Sequence, residues 1–162
     1  MMTKKIFLTL IISLLITTNS FSAGSSSSSS SSSNYDKAVK LIKSAKKFEQ
    51  KEKVDKAKKN YEKAQKLLIK YNGKNPDNAD TLNYLGFTTR KLGDFSNGEK
   101  YYLQGLAIDP KHIGINEYLG ELYVATNRID LAKERLQVLK DCNCKEFKQL
   151  KDVIEGNKKS KY

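Results

Sequence analysis

The sequence repeats itself at a spacing of 34 residues, and this period limits its fold more than any other feature. Leu85-Gly86 returns as Leu119-Gly120, and Tyr84 returns as Tyr118. Residues 80–91 and 114–125 both carry helical periodicity, and each stretch is followed by a short break, at Gly93-Asp94 and Asn127-Arg128. A second helix follows each break, with Gly98, Tyr102 and Gly105 in register with Ala132, Leu136 and Leu139. Pro110 closes the first of these units, because proline cannot continue a helix. A more degenerate copy lies upstream. Ala45, Phe48, Ala57, Tyr61 and Ala64 precede Gly86, Thr89, Gly98, Tyr102 and Gly105 by a constant 41 residues. That offset is the period plus a seven-residue insertion around 71–76, where Asn72-Gly73 ends a helix and Asn75-Pro76 makes a turn.

The repeated residues encode packing. A glycine at position 86 or 120 lets one helix approach another closely, and Tyr102 and Leu136 are expected to fill the space across that contact. One hairpin cannot bury its own apolar face, so stability has to come from stacked neighbours. Phe147, Leu150, Val153 and Ile154 recur at helical spacing over 145–155, the single apolar stripe that a terminal capping helix needs. Two prolines and nine glycines in 162 residues are too few turn formers for a multi-stranded β protein.

These residues resemble the tetratricopeptide repeat, a 34-residue pair of antiparallel helices. One unit matches at Leu82, Leu85, Gly86, Gly98, Tyr102 and Pro110. The next matches at Leu119, Gly120, Tyr123, Ala132 and Leu136, with Cys144 where the pattern has proline. The first keeps Leu41, Ala45, Phe48, Ala57, Tyr61 and Ala64 but lacks Leu-Gly. The resemblance implies an all-α, right-handed superhelical stack of about three hairpins (35–71, 79–109, 113–140) and a capping helix at 145–155. It also implies a protein that binds a peptide or another protein, with no cofactor and no enzymatic activity. The first helix of each unit would line a concave groove carrying Lys43, Lys46, Asn83, Phe87, Arg90, Glu117 and Glu121, running from basic to acidic. The lysine and asparagine pattern by which some of these domains clamp a terminal carboxylate is not matched, because Ile42 stands where its first lysine would be.

Residues 1–24 read as a secretory signal. Lys4 and Lys5 precede an apolar run over 6–16 that is too short to span a membrane, and small residues favour cleavage after Ser22 or Gly24. The expected location is the periplasm of a double-membraned bacterium, with no transmembrane span after cleavage and no nucleic-acid partner. Nine serines at 25–33 read as a flexible tether, and 157–162 as a disordered basic tail. The charge is uneven. Residues 34–74 carry 14 lysines against five acids, whereas 75–162 carry 14 basic residues against 13 acids. A basic first hairpin gives an alternative reading, attachment to anionic lipid or cell wall that weakens with salt.

Cys142 and Cys144 read as a structural disulfide or two unreactive thiols, ahead of a thiol-redox role or a metal site. With one histidine in the chain, His112, two further zinc ligands are not at hand, and His112 itself reads as an exposed loop residue. No nucleophile and base are spaced for catalysis, and no phosphate-binding loop is present.

Overall fold

The computed structural model describes residues 27–158, with side chains from residue 34. The signal sequence and the end of the basic tail lie outside these residues. Seven helices follow one another: α1 (Ser27–Glu49), α2 (Val54–Asn72), α3 (Ala79–Lys91), α4 (Phe95–Ile108), α5 (Ile113–Ala125), α6 (Ile129–Val138) and α7 (Lys145–Ile154). No strand occurs among the described residues. This is the all-α helical repeat expected from the 34-residue period.

Short turns fold the helices into pairs. Three residues separate α3 from α4, and Gly93 adopts φ +95° there, a conformation that costs an L-residue about 1–2 kcal/mol. Side chains cap three helix starts. Asn78 accepts the Thr81 amide at 2.7 Å, Asp94 accepts the Asn97 amide at 3.0 Å, and His112 Nδ1 accepts the Ile115 amide at 3.1 Å. His112 is therefore a helix cap rather than the exposed loop residue expected from the turn it follows. Its Nε2 lies 3.1 Å from Asp80 Oδ1, which fits the tautomer that leaves Nδ1 free to accept.

Each helix packs on the next, and the odd-numbered helices also touch in series, α1 on α3, α3 on α5 and α5 on α7. Among the described residues the even helices make no such contacts with one another. The stack therefore closes on its odd side and splays on its even side, which makes α1, α3, α5 and α7 the inner, concave layer.

The core follows the repeat residues. Ala45, Ala57, Tyr61, Leu85, Tyr102, Leu119, Tyr123 and Ala132 are buried, as are Gly86, Gly98 and Gly120. A Cβ on Gly86 would lie 2.5 Å from Tyr102 Cε1, so these two close the second hairpin as expected. The third hairpin differs. A Cβ on Gly120 would meet Leu150 of α7 at 2.5 Å, and Leu136 is only partly buried while Leu139 is fully buried. With only 10 residues in α6, the capping helix supplies the side chain that fills the notch at Gly120.

The helical region also begins earlier than expected. α1 starts at Ser27, so most of the serine run expected as a tether is helical. Extending an existing helix adds one hydrogen bond per residue without repeating the nucleation cost, and the helix anchored by Ala38, Ile42 and Ala45 provides that nucleus.

Candidate functional site on the inner face of the stack

The seven residues expected to line the groove all sit on inner helices, but most of them are enclosed. Asn83, Phe87, Arg90, Glu117 and Glu121 are buried, Lys46 is half-buried, and only Lys43 is exposed. The expected open, charge-graded groove is therefore a filled seam. The cause is aromatic. The Phe87 ring packs edge-on against Tyr61, with centroids 5.7 Å apart, and tilted against Tyr118 at 5.1 Å. These rings fill the space where α2, α3 and α5 meet.

Lys46 reaches across the seam from α1. Its Nζ donates to the Tyr118 hydroxyl at 3.0 Å and lies 4.4 Å from the Phe87 centroid. Desolvation holds the Tyr118 hydroxyl well above the ordinary tyrosine range, so it stays neutral. A lysine ammonium this close to an aromatic ring gains cation–π attraction.

Beneath this layer lies Arg90. Its guanidinium carbon is 5.6 Å from the Tyr102 ring and 5.7 Å from the Tyr118 ring. Nη1 donates to the Tyr118 carbonyl, and Nη2 stands 3.8 Å from Glu121 Oε2, with both side chains fully buried. Burial lowers the Arg90 pKa, while Glu121 and the tyrosine hydroxyls oppose that shift. An ion pair of this kind adds little net stability but is costly to break from one side. Asn83 packs beside Gly114, where an added Cβ would lie 2.8 Å from its Nδ2.

What remains open is a cleft of about 280 Å³ between the ends of α1 and α3, lined by Lys46, Glu49, Gln50, Phe87 and Lys91. Glu49 organises it. The carboxylate accepts from the Tyr61 hydroxyl at 2.9 Å and pairs with Lys91 at 2.7 Å, tying α1 to α2 and α3. Glu49, Gln50, Lys91 and Tyr118 were missed in the sequence reading. Lys91 follows Phe87 by four residues, so one-turn spacing is the signal for it.

Cys142 and Cys144 are bonded to each other in the turn between α6 and α7, with Cα atoms 5.2 Å apart. An apolar recess of about 540 Å³ beside them is lined by Pro110, Ile113, Val138, Leu139 and Cys142, with Lys111 and Asp141 at its rim. No group of three or more potential metal ligands occurs among the described residues.

The second hairpin carries a family likeness. Residues 79–112 match the tetratricopeptide repeat. This stretch of the chain is similar to that repeat. α3 and α4 form it, and the hairpins on either side extend it into a helical array. Two solved structures align along most of the chain. The Arabidopsis OM64 TPR domain is 17% identical, with 77% of this chain and 99% of that chain covered and a TM-score of 0.48. The first TPR of Spaghetti (RPAP3), bound to an HSP90 peptide, is 19% identical, with 76% and 94% covered and a TM-score of 0.48. Among curated proteins, none matches this sequence.

Proposed function

We propose that this protein is an exported, non-enzymatic interaction module that seats an acidic side chain of a partner protein in the cleft between α1 and α3. A tetratricopeptide repeat presents a binding surface, and function on such a fold resides in the site it displays. The observation that carries the reading is the position of Lys46 and Lys91 beside Phe87 at the mouth of the cleft. Lys46 and Lys91 both line the cleft, so a carboxylate entering it meets two ammonium groups. The volume suits one inserted side chain rather than a length of backbone. Export to the periplasm is supported by the basic and apolar order of residues 4–16 and by the bonded cysteines, which suit an oxidising compartment.

Photo-crosslinking in intact cells tests the binding clause. A crosslinker at Gln50 should capture a partner that one at Leu103, 48% exposed on the outer helix α4, does not. Lys91→Gln should weaken that capture. Equal capture from both positions, or capture indifferent to Lys91, rules the cleft out. Export is tested by sequencing the N-terminus of the cell-fractionated protein. A periplasmic chain beginning after Ser22 or Gly24 supports the reading, and an intact cytoplasmic chain removes it.

A further inference from the structure

The surplus positive charge of this chain forms an ordered line on the structure. Lys56, Lys59, Lys63, Lys66 and Lys70 follow one another along α2 at steps of three and four residues, and all five are exposed. The buried residues of the same helix, Ala57, Tyr61, Ala64 and Leu68, lie on its opposite side. The lysines therefore form a straight stripe about 21 Å long that points away from the protein. On α1, Lys37, Lys40, Lys43 and Lys47 are likewise exposed, opposite Ala38, Ile42 and Ala45. None of these nine lysines makes an ion pair among the described residues. Asp36, Asp55 and Glu62 are the carboxylates on the exposed sides of the two helices, too few to neutralise them.

We infer that the lysine stripe along the outer side of α2 is a docking surface for an anionic phospholipid membrane. Three observations choose this occupant. First, the charge is entirely lysine. The arginines among the described residues, at 90, 128 and 135, lie outside this hairpin, so it lacks the planar fork that recognises phosphates one at a time. Lysines act as mobile point charges and suit a field of headgroups. Second, no aromatic side chain in the hairpin is exposed, and single-stranded nucleic acids are held by exposed aromatic platforms. Third, an apolar side chain flanks the stripe. Ile69 is 51% exposed one turn after Lys66. Such a side chain gains by entering the headgroup boundary while lysine stems extend to the phosphates. Membrane contact on this face leaves the α1–α3 cleft open to a partner, so the two sites operate independently.

The test measures partition of the full chain onto phosphatidylcholine vesicles with and without phosphatidylglycerol. Lys59, Lys63 and Lys66 are changed together to glutamine, a residue of similar helix propensity. A matched variant changes Lys100, Lys111 and Lys133, which are exposed elsewhere. Wild type should bind the anionic vesicles selectively, and binding should fade as salt shortens the screening length. The stripe variant should lose roughly 100-fold in partition, since each lysine near an anionic surface contributes about fivefold. The matched variant carries the same net charge and should lose only a few-fold. Equal losses in both variants would reduce the effect to net charge and overturn the assignment. Equal binding to neutral vesicles would do the same. Displacement from vesicles by soluble polyglutamate at equal charge concentration would assign the stripe to an acidic protein instead.

Discussion

Replacing Gly86 with alanine should destabilise the protein, although alanine is the better helix former. The added Cβ would lie 2.5, 2.6 and 2.8 Å from three Tyr102 ring carbons, against an optimum of about 3.5–4.0 Å. Tyr102 is fully buried beside Arg90 and has no free space to retreat into. Overpacking of this kind costs about 1–3 kcal/mol, and three short contacts place it near the upper end. The gain in helix propensity is about 1 kcal/mol, so the expected net loss is about 2 kcal/mol. The decisive comparison is in a Tyr102→Val background, which lacks all three ring carbons. There Gly86→Ala should become stabilising by about 1 kcal/mol, a swing of about 3 kcal/mol. Urea unfolding followed by circular dichroism reads both differences. Gly93→Ala serves as a control, because its penalty comes from a positive φ with nothing within 4 Å, and it should add to Tyr102→Val without coupling. A Gly86→Ala effect that keeps its sign and size in both backgrounds would refute the close-approach argument.

Breaking the buried pair from one side, as Glu121→Leu or Arg90→Met, should cost about 3–5 kcal/mol, and the double variant should recover most of it in urea titrations. Burial raises the hydroxyls of Tyr35, Tyr61, Tyr102 and Tyr118, so their neutral forms support folding below the ordinary tyrosine value near 10. Stability should therefore fall as pH rises above about 10, at about 1.4 kcal/mol per pH unit for the fully buried Tyr102 alone, with tyrosinate absorbance appearing only on unfolding. On the acid side, the Asn97 hydrogen bonds hold the Asp94 carboxyl below its usual value. Its contribution is present above about pH 4 and lost as pH falls through that lowered value, a loss that Asp94→Asn should remove from the pH profile. Asn78→Ala and His112→Ala should each cost about 1 kcal/mol in thermal unfolding, and His112→Asn should restore most of the second loss.

The repeat made the helix pairs legible because its signals are local. Glycine, proline and capping residues act within one turn of where they stand, so the second hairpin can be traced from Asn78 to Pro110. Interior packing is set by residues distant in sequence, and there the reading diverged. Whether Gly120 meets Leu136 or Leu150 depends on the length of α6 and on how α7 docks, and no single spacing encodes either. The groove diverged for the same reason. Helical register puts Phe87, Arg90 and Glu121 on one side of their helices, but register does not say how tightly inner helices approach. Lys46 and Tyr118, 72 residues apart, bridge the seam because the rings of Phe87 and Tyr118 fill it. The cleft went unread because Glu49 and Lys91 sit at helix ends, where a charged residue ordinarily reads as a solvated terminus. The lysine surplus was visible as a sum, and its alignment opposite the buried side of α2 emerged once burial was assigned residue by residue.

Hydroxyl-radical footprinting of the native, unmutated protein, with oxidation mapped by mass spectrometry, tests most directly that the inner channel is filled by the chain's own side chains. Phe87 is 1% exposed and Phe95 38% exposed. Phe87 should stay as protected as Tyr102 until urea unfolds the chain, while Phe95 is oxidised at once. Oxidation of Phe87 in the native state at the rate of Phe95 would mean an open groove and would contradict the filled seam on which the proposed cleft depends.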